Sequence, residues 1–368
     1  DLDRIMAKVT RAETTRLNNE AILDALCALI RENGWDELSV SGVAKKAGVS
    51  VGAIYARAEN LSELANTLWQ VRLREQIVEV LELITEAVTA SDVEQMLKVS
   101  SFMDKQSDIL TPALELVVAS QFDDELAEVI GEDFTHLISA LTVPRSSSNA
   151  DRHLAASQYL VMSFLFGRVF AKRNGVEIAP LTQEEATIIS SFSKMKPEEI
   201  TTSIPPLEFL KEGESGANAW AISILKVISK WGYRRATVSR MARATNQTPG
   251  ALISGYSSKA DLVAHIASDF LYSPMDMWEP FVCRIPQEGS ADIRASFLQG
   301  YLAPENRGWW KLNLELARVA ETYPELAQFK TPSDALQRTH LAVMFLALFT
   351  ENASTLPFLG AFRAGATT

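Results

Sequence analysis

Two cysteines, four histidines and no apolar run long enough to cross a bilayer mark this 368-residue chain by what it lacks. Cys27 and Cys283 stand in no metal-binding or redox spacing. Each falls within a helical pattern and reads as a small buried hydrophobe, so a disulfide framework is excluded and a reducing cytoplasm is expected. His136, His153, His265 and His340 are isolated from one another and from any second ligand at metal spacing. There is no phosphate-cradling glycine loop and no nucleophile elbow, so neither an enzyme nor a cofactor is expected. The longest uncharged apolar stretches, "YLVMSFLFG" and "LAVMFLALFT", fall well short of the roughly 20 residues a membrane-spanning helix requires, so no membrane partner is expected. No signal peptide is legible, and the sequence opens at Asp1 rather than methionine, which leaves its true start open.

What is present is enough for two cores. Hydrophobic residues make up 47% of a length that suits two domains. The net charge of −11 argues against an indiscriminate polyanion binder, but its distribution is uneven. Residues 217–262 carry seven basic side chains against the single acid Asp261, whereas residues 1–60 carry eight basic and nine acidic ones. One segment is thus a basic island in an acidic protein.

That island repeats an earlier design. In "SVSGVAKKAGVSVGAIY", Ser39 to Tyr55, two short helical patterns flank one glycine, Gly48. Before it, Ile22, Ala25, Leu26, Leu29 and Ile30 form an amphipathic stripe over Ala21–Glu32, stopped by Gly34 in a left-handed cap. Ser39 or Ser41 can cap the second helix, which turns Val43, Ala44 and Ala47 inward; Ser50 caps a third helix reaching about Arg57. A fourth starts near Asn60 and runs far beyond this compact unit. "TVSRMARATNQTPGALI", Thr237 to Ile253, restates the pattern 198 positions later without a gap. Cap, core and close-packing positions match: Ala219, Ile228, Gly232, Val238, Ser239, Ala242, Gly250, Ala251 and Leu262 stand for Ala21, Ile30, Gly34, Val40, Ser41, Ala44, Gly52, Ala53 and Leu64. "LELVVASQFDDELA" is echoed by "LELARVAETYPELA" at a spacing of 200, so the repeat extends into the body of each half. No stretch alternates with period two for long enough to make a strand, and the chain reads as all-α.

Two short helices set at a steep angle and braced by a third are a device for laying the last helix in the DNA major groove. Such a helix must open on small residues, so that backbone can approach backbone. Ser50, Val51, Gly52 and Ala53 satisfy this, as do Thr248, Pro249, Gly250 and Ala251, with Pro249 suited to the first helical position. Hydroxyls and free N–H groups at helix starts bind phosphate.

On these residues the chain resembles the TetR family of bacterial transcription regulators. The likeness rests on "AILDALCALIRENGWDELSVSGVAKKAGVSVGAIYARAENLSELA" and on "AWAISILKVISKWGYRRATVSRMARATNQTPGALISGYSSKADLV", about 45 residues in each half. It implies an all-α fold of two TetR-like units, each a three-helix helix-turn-helix head followed by a helical body for ligand binding and dimerisation. Here the two are expected to be fused as an intrachain pseudo-dimer. The expected division is 1–65 (first head), 66–196 (first body), 197–216 (a Pro- and Gly-containing linker), 217–263 (second head) and 264–368 (second body). The heads depart from the family pattern and from each other. Tyr55 keeps the tyrosine position, but Ala58 and Leu61 replace the aromatic and the lysine; in the second head Ile253 replaces the tyrosine while Tyr256 and Lys259 keep the others. "AGVS" becomes "TNQT", with Asn246 at the glycine position, where Asn tolerates a positive φ.

The expected DNA-binding residues are Ser39, Ser41, Lys45, Ser50, Val51, Gly52, Ala53, Tyr55 and Arg57 in the first head. In the second they are Thr237, Ser239, Arg240, Gln247, Thr248, Pro249, Gly250, Ser254 and Lys259. Gln247 suits adenine, and Arg4, Lys8, Arg11 and Arg16 suit a basic arm. Phe102, Phe122, Tyr159, Met162, Phe166, Trp278, Tyr301 and Trp310 are the expected ligand wall, although aromatic and Met residues at helical spacing are more often plain core. The two halves are expected to join through the apolar late helices Asp151–Asn174 and Ser333–Asn352. The expected partners are a double-stranded DNA operator of asymmetric or imperfect symmetry and a largely apolar small-molecule effector, and the fused chain keeps the option of further self-association. The expected function is that of a ligand-responsive regulator, a repressor. The alternative is a TetR-like ligand-binding or protein-interaction module that has lost DNA binding, favoured by Ala58, Leu61, Ile253 and the acidic total.

Overall fold

In a computed structural model, the described residues are 2–140, 148–173, 179–194, 216–271, 306–320 and 322–329. Among them the regular structure is helical throughout. The chain divides into two compact units, residues 1–79 with 105–133, and residues 80–104 with 134–368.

In the first unit, α1 runs from Leu2 to Asn33, so it begins well before Ala21. Arg4, Lys8, Arg11 and Arg16 therefore lie on an extension of this helix rather than on a separate arm, and Arg16 pairs with Glu20 one turn on at 2.8 Å. The expected stripe is buried at Ile22, Ala25, Leu26 and Ile30. Gly34 stops the helix with φ 78° and ψ 166°: the sign of φ is as expected, but the backbone is extended rather than left-handed helical. A 3₁₀ turn, Trp35–Glu37, leads to α2, Val40–Ala47, capped by Ser39 and not by Ser41, which lies inside the helix. Gly48 then turns the chain with φ 69° and ψ 27°, and α3, Val51–Tyr55, begins after Ser50. Asn60 caps α4, Leu61–Leu68, by accepting from the Glu63 N–H while the Glu63 carboxylate accepts from the Glu59 N–H. Val43, Ala44, Ile54, Leu64, Ala65 and Leu68 close the core against α1.

A π turn, Trp69–Leu73, joins α4 to α5, Arg74–Ala90. The Trp69 indole and the Arg74 guanidinium both donate to Asp133 at 2.8 Å. After α6, Val93–Lys105, the buried helix α7, Ser107–Ala119, packs along α1 and carries Glu115 to the Trp35 N–H at 2.9 Å. A single turn α8, Asp124–Leu126, and a second π turn, Ala127–Gly131, lead into α9, Glu132–Ser139.

In the second unit, α10, Asn149–Arg173, is buried almost all round, through Tyr159, Leu160, Met162, Leu165, Phe166 and Phe170. Phe166 meets Phe134 at 6.5 Å between ring centres. The helix α11, Gln183–Ser191, opens on a reciprocal cap between Thr182 and Glu185. The suggested partner of α10, Ser333–Asn352, lies outside the described residues.

From residue 216 the local geometry of the first unit recurs. Helix α12 spans Gly216–Arg235 and bends at Gly232, whose φ 73° and ψ 161° nearly reproduce those of Gly34. Thr237 caps α13, Val238–Ala244; Asn246 has φ 54° where Gly48 has 69°. Thr248 caps α14, Pro249–Ile253, and Ser258 and Asp261 box the start of α15, Lys259–Leu271, as Asn60 and Glu63 do for α4. A helix α16, Arg307–Val319, packs on α12 and brings Glu315 to the Tyr233 N–H at 2.5 Å, the counterpart of Glu115 on Trp35. Here the buried carboxylate also pairs with Arg318 at 2.8 Å, where the first copy has Val118. Ile224, Ile228, Met241, Leu252, Leu262, Leu312 and Leu316 share one core.

Candidate nucleic-acid interface

Each head presents the start of its short third helix to solvent. In the first, the Ser39 hydroxyl oxygen accepts from the Gly42 N–H and the Ser50 hydroxyl oxygen from the Ala53 N–H, both at 3.1 Å. Accepting in this way leaves the Ser50 hydroxyl a proton to donate, while the Ser39 hydroxyl also shares a hydrogen bond with that of Ser41 at 3.2 Å. Ser41, Lys45, Ser50, Gly52 and Tyr55 are exposed, and Val51 is 40% and Tyr55 56% exposed although both are large and apolar or aromatic. Ala53 is half-buried. A Cβ built on Gly52 meets only the Ser50 hydroxyl, at 3.9 Å, so the protein's own packing does not require glycine there.

The second head repeats this with other side chains. Thr237 accepts from the Arg240 N–H at 3.3 Å and Thr248 from the Ala251 N–H at 3.2 Å. Ser239, Gln247, Thr248, Pro249, Gly250 and Ser254 are exposed, and a Cβ on Gly250 meets nothing within 4 Å. Ile253, at the position of Tyr55 in the repeat, packs against the core of its head. The first head thus projects an aromatic phenol where the second projects nothing.

Three expected contact residues are engaged within the protein. Arg57 donates to the Asn19 side chain and to the Ala53 carbonyl. Lys259 donates to the Tyr233 carbonyl at 2.8 Å and lies 3.9 Å from the centre of the Tyr233 ring. Burial pushes the Tyr233 hydroxyl well above its ordinary pKa, with Tyr323 and Glu325 adding to the effect. As placed, Lys259 fastens α15 to the end of α12 through the Tyr233 carbonyl. Arg240 donates to the Arg235 carbonyl at 2.7 Å and stacks 4.6 Å from the centre of the Trp231 ring. All three are half-buried.

The residues that sequence reasoning missed are Glu115, Glu315 and Trp231. The first two are visible as an echoed "LEL", yet their bonds span 80 and 82 positions, which no local pattern reveals. Trp231 is legible only as an aromatic beside Lys230 in the basic island. Of the expected ligand wall, Tyr159, Met162, Phe166 and Trp310 are buried and Phe102 and Phe122 half-buried, while Trp278 and Tyr301 lie outside the described residues. Among the described residues no three His, Cys, Asp or Glu side chains are placed to hold a metal ion, and no helix is long and apolar enough to cross a membrane.

A curated relative is the fatty acid metabolism regulator protein of Bacillus subtilis (strain 168), 29% identical over 102 residues that cover 28% of this chain. The matched stretch spans 50% of that relative's length. The geometry of the first head agrees with its sequence: residues 22–66 match the family described as bacterial regulatory proteins, tetR family.

Proposed function

We propose that the chain is a ligand-responsive transcriptional regulator, a repressor, that holds a double-stranded DNA operator with two unlike heads carried on one polypeptide. The observation that carries this reading is the recurrence, 198 positions apart, of the same stop, cap, turn and cap around two short helices, the first of which matches the tetR family. Domain limits follow the sequence: heads at 1–65 and 217–263, bodies at 66–196 and 264–368, a linker at 197–216. Paired identical heads read a palindrome; heads that differ at Tyr55 and Ile253, and at Gly42 and Arg240, have no such obligation, which supports an asymmetric operator. The bodies take up a largely apolar small molecule, in keeping with a relative named for fatty acid metabolism, and its binding changes the fit of the two heads to successive grooves. A cytoplasmic location suits both roles.

A second reading, a ligand-binding module without DNA affinity, is favoured by the inward engagement of Arg57 and Lys259. A gel shift on the DNA upstream of the protein's own coding region separates the two. Specific retardation that survives competitor DNA supports the regulator; no retardation at low salt supports the module.

A further inference from the structure

The two heads differ most in charge at the place where the first helix ends. Superposing the repeat by its 198-residue offset sets Lys230 on Glu32, Arg234 on Asp36 and Arg235 on Glu37. The same backbone thus carries opposite charge in the two copies. In the first head Lys46 closes on Glu32 at 2.6 Å, so even its nearby cation is drawn into the acidic edge. In the second, the cations gather about one indole. Arg240 lies 4.6 Å and the Lys230 ammonium 5.3 Å from the centre of the Trp231 ring, within the range of attraction between a cation and an aromatic face. The Arg235 carbonyl fixes the Arg240 guanidinium from the other end, at 2.7 Å. The first head can build no such post, because Gly42 and Asn33 hold the positions of Arg240 and Trp231.

We infer that the Trp231 edge of the second head is a phosphate anchor, which grips the DNA backbone without regard to sequence and has no counterpart in the first head. This rests on the proposed DNA binding of the second head and adds a division of labour: one head holds, the other reads. Duplex DNA is favoured over an acidic protein surface because the anchor shares Arg240 with the capped start of α13, so its cations adjoin Thr237 and Ser239 on the candidate interface. Trp231 is a positioning residue that acts through Arg240 and Lys230. Guanidinium groups held in advance lose less freedom on meeting phosphate than free side chains do.

The test uses the full chain and a fluorescently labelled duplex of unrelated sequence, with affinity measured across a range of salt concentrations. Each phosphate contact contributes roughly 0.9 to the slope of log affinity against log salt. Arg240→Ala, and separately the exposed Arg234→Ala, each lower the slope by about one contact's worth. Trp231→Leu lowers it as Arg240→Ala does, and Trp231→Phe, which keeps an aromatic face, restores it. Asp36→Arg with Glu37→Arg in the first head raises it. Circular dichroism melts show which variants fold, and Arg234→Ala, whose side chain lies outside the core, keeps the test open should a Trp231 variant unfold. Unchanged slopes in folded Arg234→Ala and Arg240→Ala proteins overturn the anchor while leaving operator binding intact. If the wild-type protein retards no DNA, the functional reading itself fails. If the same variants instead abolish a salt-sensitive self-association in sedimentation, the edge docks on a second copy and the anchor is overturned.

Discussion

At Gly52 a methyl group would enter space that the protein leaves empty. The position is exposed, its backbone is helical, and a Cβ would touch only the Ser50 hydroxyl, at 3.9 Å. Replacing glycine by alanine in a helix, at a site the new residue fits, stabilises by about 0.4–1 kcal/mol, because the unfolded chain has fewer conformations to lose. Gly52→Ala should therefore melt higher than wild type by circular dichroism, or at worst equally. Its effect on DNA should have the opposite sign. If α3 lies with its first turn against the duplex, the added methyl occupies the space left for the DNA backbone or a base edge, and a tenfold loss of affinity corresponds to about 1.4 kcal/mol. Fluorescence anisotropy with the upstream duplex measures that loss. The two readouts moving apart cannot arise from misfolding. An alanine protein that is more stable and binds DNA unchanged would refute the placement of α3; one that is less stable would refute the reading of empty space. Gly250→Ala, with nothing within 4 Å of its Cβ, makes the same test in the second head.

Other consequences are as direct. Gly48 sits at φ 69° while its counterpart Asn246 sits at 54°, so Gly48→Asn should cost well under the ~1–2 kcal/mol expected of Gly48→Val, as read by urea denaturation. Arg318→Leu strands the buried Glu315 carboxylate and should destabilise by about 3–5 kcal/mol; adding Glu315→Gln, which keeps an acceptor for the Tyr233 N–H, should recover much of it. The Ser257 N–H and hydroxyl hold the Asp261 carboxyl below its ordinary pKa. A carboxyl whose folded value lies below its unfolded value of about 4 stabilises fully above that pH and ceases to do so as pH falls through the folded value. Thermal melts of Asp261→Asn should accordingly show a shallower loss of stability below about pH 4 than wild type, with the difference confined to that acid limb.

The heads were legible because their signals are local. A serine or threonine that caps a helix binds an N–H three residues away, as Ser50 does with Ala53 and Thr248 with Ala251, so spacing alone announces it. The turn at Gly48 is similarly announced by the one residue type without a Cβ penalty there, and Asn246 by the next best. Side chains that reach across the fold give no such notice. Arg57 reads as a cation at the end of a recognition helix, yet it bonds the side chain of Asn19, 38 positions earlier. Lys259 matches the family's lysine, and it donates to a carbonyl 26 positions away that no local pattern reveals. The extension of α1 back to Leu2 was missed for a different reason: Thr10 to Asn19 is too polar to show a periodic stripe, so the apolar signal begins only at Ile22.

The widened turn at Trp69–Leu73 gives the chain one point where it can lose a residue without changing which way the following helix faces. A π turn accommodates one residue more than the α-helix around it. Deleting a single residue there would let the segment relax into an unbroken helix, whereas the same deletion in the regular turns of α4 would rotate every later side chain by about 100° around the helix axis. Trp69 and Arg74 now close on Asp133 from either end of the turn, five residues apart; four residues apart in a plain α-helix they would still share that face. The extra residue is absorbed locally, so a shortened relative could keep the Asp133 clasp with the same side chains.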